Sequence, residues 1–170
     1  MKLSEVYNDL SELYTLKYII RYNNLPRITK ESVAEHSFFV SLIVLRLYKY
    51  YKFNLEKALS IAITHDIAEV FISDVPRNIK NKFKVLEKYL NEIESKVLKE
   101  KFPEYQSLVE EFNEEKTVES LIVSVADLLS VVQYASTEVK LGSKYYMPEV
   151  IKSSKIKINK TLKKLSRYKR

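Results

Sequence analysis

Thr64-His65-Asp66-Ile67-Ala68-Glu69 decides how this chain is read. The stretch has no Gly or Pro and sits inside a run that begins at Asn54. Its apolar residues recur at helical spacing, so a helix is expected from about Asn54 to Phe71. On such a helix His65 and Asp66 stand about 100° apart and can both reach a cation placed between them. Glu69 projects on the same side one turn later, where its carboxylate can hydrogen-bond a water at that cation.

The remaining elements read as helices too. Leu3–Tyr22 is amphipathic, with Leu10, Leu13, Leu16 and Ile20 near one face, and Asn23-Asn24-Leu25-Pro26 ends it. Ser32-Val33-Ala34-Glu35 has the capping-box pattern, so a second helix is expected to run to about Tyr51. His36 falls in its first turns, and Phe39, Val40, Ile43 and Leu47 continue that face. Ser73-Asp74-Val75-Pro76 reads as a turn. A charged helix is expected over about Asn78–Lys99 and a shorter one from Pro103 to about Glu111. Thr117–Lys140 is the most apolar helix, and Gly142 punctuates it. Ile151, Ile158, Leu162 and Leu165 mark one face of a final helix. One Gly, four Pro and 46% apolar residues in 170 argue for an all-α, single-domain bundle rather than a sandwich or barrel.

Composition also excludes chemistry. There is no Cys, so disulfides, thiolate metal sites and Cys nucleophiles are out, and any metal must be held by nitrogen and oxygen. No Gly-rich phosphate loop and no G-x-S-x-G motif occurs. Met1–Tyr18 does not read as a signal peptide, and no stretch of about eighteen uncharged apolar residues is present. A soluble cytoplasmic protein without a membrane partner is expected. The net charge of +7 is local: Ile151–Arg170 holds nine basic residues and no acid, and without it 20 basic face 22 acidic residues. That distribution argues for a solvated basic helix at about 151–170 over a nucleic-acid surface.

His36, His65, Asp66 and Asp127 are the candidate metal ligands. Asp127 is the only charge in the apolar run Leu121–Val132, and a buried carboxylate needs a cation or donors. Ser124, Ser130 or a nearby Arg can satisfy it, and so can a metal. Two imidazoles and two carboxylates suit one divalent ion, with Co, Mn, Fe, Ni and Zn all compatible.

The segments Glu31-Ser32-Val33-Ala34-Glu35-His36-Ser37, His65-Asp66-Ile67-Ala68-Glu69-Val70, Ser73-Asp74-Val75-Pro76 and Ala126-Asp127, with Arg21 upstream, resemble the HD-domain phosphohydrolase superfamily. Within it they look like the 5′-deoxynucleotidase branch, which includes the HD domain-containing 2 proteins. The resemblance covers roughly Leu16–Lys140. It implies a metal-dependent phosphomonoesterase that cleaves (deoxy)nucleoside 5′-monophosphates, and a homodimer. By the same resemblance His36, His65, Asp66 and Asp127 are metal ligands, Arg21 binds the substrate phosphate, and Glu69 does acid–base work. Asp74 lies near substrate and water, and Tyr22 lies where the bacterial branch has a Trp near the sugar. Ser73 stands where the family often has Gly, which implies a somewhat different turn. Two alternatives remain: another HD-type hydrolase acting on a phosphodiester or a nucleoside triphosphate, or a non-enzymatic helical module that binds nucleic acid through the basic tail.

Overall fold

The computed structural model describes residue 7 and residues 10–168. Eight α-helices occur among them, and an isolated antiparallel bridge joins Ile20 and Ser32. Residues 3–6, 8 and 9 of the expected Leu3–Tyr22 helix lie outside the described residues, and the described part ends its α-helix at residue 13, short of Tyr22. Residues 10–13 are helical, then a 3-10 turn, Tyr14–Lys17, tightens the chain before Arg21.

Helix α1 spans Val33–Leu47, and its capping box is formed. Ser32 Oγ accepts from the Glu35 amide at 3.2 Å, and Glu35 Oε2 accepts from the Ser32 amide at 2.7 Å. Such a cap contributes about 1 kcal/mol and fixes where the helix starts, hence where His36 points. The buried face carries Val33, His36, Ser37, Val40 and Val44. Phe39 is not on it: its ring is exposed, as are Phe38, Leu42 and Leu45. Val40, Ile43 and Leu47 of the expected face do pack in the core; Phe39 alone departs from it, because both sides of α1 are apolar and periodicity could not separate them.

Helix α2, Leu55–Thr64, is capped by Asn54, whose Oδ1 accepts from the Lys57 amide at 3.1 Å. It does not continue to Phe71. Residues 65–68 form turns with bonds of i→i+3 type, Ile67 N to Thr64 O and Glu69 N to Asp66 O, both 3.0 Å. A short helix α3, Glu69–Ile72, follows. No residue there disfavours a helix by propensity; the tighter winding goes with the convergence of the His65 and Asp66 side chains. The expected Asn78–Lys99 helix is also two: α4, Arg77–Lys82, and α5, Lys84–Lys101, parted by an extended Phe83. Helix α6 is Pro103–Glu114, with Pro at its first position.

Helix α7, Val118–Leu141, is the axis of the bundle. It is long and apolar enough to cross a membrane by length and composition, but most of it is buried against its neighbours. Gly142 ends it at φ 115°, a conformation that suits glycine. Helix α8, Met147–Leu165, packs along α7, and a 3-10 turn, Ser166–Tyr168, closes the described chain. Residues Lys169 and Arg170 of the basic segment lie outside the described residues. Two of the α8 lysines are not free cations: Lys157 and Lys164 pair with Glu115 at 3.3 and 3.5 Å.

Val40, Val44, Ile61, Ala62, Ile122 and Val125 form the main core between α1, α2 and α7. Full burial of one such aliphatic side chain is worth about 1.5–3 kcal/mol. A second cluster, with Ile67, Ala68, Leu98, Phe102 and Val109, seats the turn after α2 on α5 and α6. The polar ends of these two clusters face a common cleft.

Candidate active site

His36 comes from α1, His65 and Asp66 from the turn after α2, and Asp127 from the middle of α7. His36 Nε2 lies 3.2 Å from Asp127 Oδ1 and 3.9 Å from Asp66 Oδ2, and His65 Nε2 lies 3.2 Å from Asp66 Oδ2. His36, His65 and Asp127 each offer a ligand atom within 4.8 Å of the others. Both Nε2 atoms are buried and have no hydrogen-bond partner. Two buried, unpartnered imidazole nitrogens are costly unless something accepts their lone pairs.

The other ring nitrogens are occupied. His65 Nδ1 donates to the Ala62 carbonyl at 2.9 Å, which leaves the lone pair on Nε2. His36 Nδ1 faces Ser130 Oγ at 3.3 Å, an acceptor for the same tautomer. Phe112 packs its ring edge-on against His65, with centroids 5.1 Å apart. Oriented imidazoles backed by such partners are what a metal ligand set needs. Donors about 2.1 Å from one shared ion stand roughly 3–4 Å apart, so this group fits a divalent cation with N/O preference.

The electrostatics differ from group to group: burial opposes a charge on His65, but the neighbouring Asp66 outweighs it and raises that imidazole above its usual value. Burial, aided by the charge of Arg21, lowers His36 to about 4, so its ring is neutral at neutral pH. Burial opposes the charges of Asp66 and Asp127, but His65 for the first and His36 for the second hold both below the usual carboxylate range. Glu69 behaves oppositely: burial, then the neighbouring Asp66 and Asp74, push it well above the ordinary value. Its Oε2 is buried without a partner. A buried carboxyl whose proton affinity is raised in this way is suited to proton transfer.

Arg21 is only 9% exposed, in a clasp that brackets the next loop. Its amide donates to Glu31 O at 2.9 Å, and the Val33 amide donates to Ile19 O at 2.9 Å. The guanidinium Nη1 lies 3.3 Å from Glu31 Oε2. Burial works against the charge, but Asp66, Asp127 and Glu31 nearby more than offset it. Tyr22 stands at φ 55°, and its amide donates to Asp74 Oδ2 at 2.8 Å. One oxygen of Asp74 therefore braces Tyr22, and burial raises the carboxyl above its usual range. Ser73, just before it, sits at φ 62°, ψ 167°. The residue that replaces Gly thus takes a backbone angle suited to glycine.

Arg21, Tyr22, His65, Asp66, Glu69, Asp74 and Asp127 all line one cleft of about 840 Å³, and His36 is fully buried beside Asp127. That volume suits a nucleotide-sized ligand. Sequence reasoning missed the roles of Glu31 and Ser130, and it expected an Arg near Asp127 without singling out Arg77. Ser130 was weighed as a partner for Asp127 but faces His36, and Ser124 donates to Glu115 at 2.8 Å instead. Arg77 Nη2 lies 4.0 Å from Asp127 Oδ2. Glu31 stood inside a quoted motif, but nothing in its spacing pointed to Arg21.

An all-α bundle with this His, His-Asp and Asp convergence defines a recognisable class. The HD-domain profile matches residues 13–166, and the chain belongs to the HD domain family of metal-dependent phosphohydrolases. Its likeness within the family runs to the 5′-deoxynucleotidase branch. It is 27% identical over 166 residues to a 5′-deoxynucleotidase of Erwinia tasmaniensis, across 89% of this chain and 81% of that one. A Pyrococcus horikoshii protein of known structure is 30% identical, with a TM-score of 0.79 over 93% of this chain and 94% of its own. A cyanophage S-2L HD phosphohydrolase, seen with dA and one catalytic Zn²⁺, shares the fold at 18% identity, with a TM-score of 0.69 over 88% of this chain and 82% of that one.

Proposed function

We propose that this protein is a 5′-nucleotidase that hydrolyses nucleoside 5′-monophosphates, with deoxynucleotides preferred, to nucleoside and inorganic phosphate. His36, His65, Asp66 and Asp127 would hold one divalent ion. The observation that carries this reading is the pair of buried, unpartnered Nε2 atoms beside two carboxylates, in a cleft that also holds Arg21. The 5′-deoxynucleotidase relative and the dA-bound cyanophage structure support the substrate class.

A divalent ion bound there supplies Lewis-acid chemistry, drawing charge from phosphoryl oxygens and lowering the pKa of water toward 7. Arg21 grips the phosphate with a planar fork that matches two of its oxygens. Glu69 holds or exchanges a proton at Oε2 with the water that attacks phosphorus. As the P–O5′ bond breaks, the leaving O5′ takes up a proton and phosphate departs. Asp74 holds the Tyr22 amide and so turns that ring over the cleft, toward the pentose. The Tyr22 hydroxyl, raised to about 12 chiefly by burial, stays neutral and can hydrogen-bond a sugar oxygen.

One HD domain carries this function along the whole chain, the basic α8 included. Co, Mn, Fe, Ni and Zn all suit the donor set, and Zn²⁺ serves the cyanophage relative in fold. A homodimer through α1 accompanies the reading: Phe38, Leu42 and Leu45 are exposed at i, i+4 and i+7, with Ile63 also exposed. The same reading puts the protein in the cytoplasm with its substrate.

The test is phosphate release by metal-free protein from a panel of ribo- and deoxynucleoside monophosphates, repeated with each divalent ion. Di- and triphosphates belong in the panel because Arg77 and Lys80 also line the cleft. Turnover of a monophosphate that vanishes in Asp66→Ala, with helix content kept, supports the reading. Full activity in Asp66→Ala refutes it.

A further inference from the structure

Asp127, Tyr134 and Glu138 follow one another on α7 at intervals of seven and four residues. Those intervals place them along one helix face, over about 16 Å of axis. Asp127 belongs to the metal cluster. The other two reach the loop between Arg21 and Ser32 instead.

Glu138 has 0% exposure, yet it is fully partnered. Its carboxylate accepts from the Ile28 amide at 2.6 Å, the Thr29 amide at 2.7 Å and Thr29 Oγ1 at 2.6 Å. Tyr134 Oη donates to the Thr29 carbonyl at 2.9 Å. The Tyr134 ring stacks on Tyr22, with centroids 5.6 Å apart and planes 3° from parallel. Every one of these partners lies between Arg21 and Glu31, the two members of the buried ion pair.

That loop has few anchors of its own. It carries no regular element, and Ile28, its central apolar residue, is 55% exposed. Tyr22 sits in left-handed backbone space, which costs about 1–3 kcal/mol for a bulky residue and persists only where the surroundings hold it. Its restraints are the Asp74 carboxylate, the Leu25 amide and Arg27 Nη1 on its carbonyl, and the Tyr134 ring. A buried carboxylate that receives three hydrogen bonds is a strong and directional tether.

We propose that Glu138 and Tyr134 are positioning residues for the substrate-binding arm: they fasten the Tyr22–Glu31 loop to the helix that carries Asp127, and so fix the distance between Arg21 and the metal cluster. Helix α7 then acts as a common ruler for the phosphate-gripping and ion-holding groups. This inference rests on the reading of Arg21 as the phosphate ligand. A displacement of about 1 Å in such a group can cost about 100-fold in rate, so a tether far from the chemistry has kinetic weight.

The test compares the wild-type chain with Glu138→Gln, Tyr134→Leu and Thr29→Val. The last keeps Glu138 but removes one donor, and serves if the buried substitutions impair folding. The readouts are KM and kcat on the best monophosphate, divalent-ion affinity by calorimetry, and amide exchange over residues 22–31. Faster loop exchange with KM raised about tenfold, kcat within about threefold and unchanged ion affinity supports the proposal. Faster exchange or lower Tm with KM unmoved shows a merely structural clamp and overturns it. So does loss of ion affinity in step with KM, which would mean the residues act through the metal cluster. If the wild-type chain hydrolyses no monophosphate, the nucleotidase reading fails separately. Calorimetry with inorganic phosphate then decides the positioning claim: weaker binding in Glu138→Gln sustains it, and equal or absent binding in both overturns it.

Discussion

Ser73 stands at φ 62°, ψ 167°, between the carboxyl of Glu69 and the brace formed by Asp74. This region of backbone space is essentially glycine's own, and another residue there carries about 1–3 kcal/mol of strain. Ser73 is exposed, its hydroxyl makes no hydrogen bond among the described residues, and its amide donates to Glu69 O at 2.8 Å whatever the side chain. Ser73→Gly therefore loses no side-chain bond. It adds unfolded-chain entropy, a cost of about 0.5–1 kcal/mol. The difference of the central values is a net gain of about 1 kcal/mol, which for a chain of this size raises Tm by about 2–4 °C. Calorimetric melts of Ser73→Gly, Ser73→Ala and the wild type, under one ion condition, measure it. Alanine keeps the Cβ and should show no comparable gain. A glycine variant that melts at or below the wild-type temperature, or an alanine variant that gains as much, would refute the strain argument.

Glu69→Gln should lower kcat by about 100-fold or more while the divalent ion stays bound, because proton transfer is lost and no ligand is removed; parallel loss of the ion in calorimetry would make Glu69 a ligand. Arg21→Ala should raise KM far more than it lowers kcat, and steady-state kinetics on a monophosphate checks the split. Saturating a chelated sample with ion at about 100 times its Kd should add about 2.7 kcal/mol of stability, and Asp127→Asn should lose most of that shift in a thermal melt. Glu138 is held below its usual carboxylate value: burial opposes its charge, but the bonds from Thr29 and Ile28 outweigh it. A depressed folded-state pKa gives stability that is present above the unfolded value near 4.5 and is lost as pH falls through the folded one. The wild type should therefore lose stability more steeply than Glu138→Gln below about pH 4.5, as read by Tm against pH.

The elements that carry the fold were legible because their signals are local. The capping box at Ser32, the Asn54 cap and Gly142 at a left-handed position each mark a helix end with a residue whose chemistry does the marking. The candidate ligands stood out for different reasons: Asp127 because a carboxylate inside an apolar run demands a partner, and His65 and Asp66 because neighbours on a helix can reach one cation. Breaks at residues 65–68 and at Phe83 were not visible, since neither has a residue that disfavours a helix. The first accompanies side chains that converge from other segments, a long-range cause that periodicity does not encode. The exposure of Phe39 escaped because α1 is apolar on two sides. Nothing in the sequence singled out the partners of Glu31 and Glu138, and only the folded loop reveals that one pairs with Arg21 and the other receives backbone amides.

Where α2 stops, it leaves its last carbonyls without the amides that a longer helix would send them. One of these, on Ala62, takes the Nδ1 proton of His65. The stop thus does the work of a dedicated outer ligand, and no additional side chain has to be supplied for it. Grafting His65 and Asp66 onto an unbroken helix of a designed scaffold would use up that carbonyl and leave the imidazole free to spin. A transplant of this centre must carry the fracture along with the two residues.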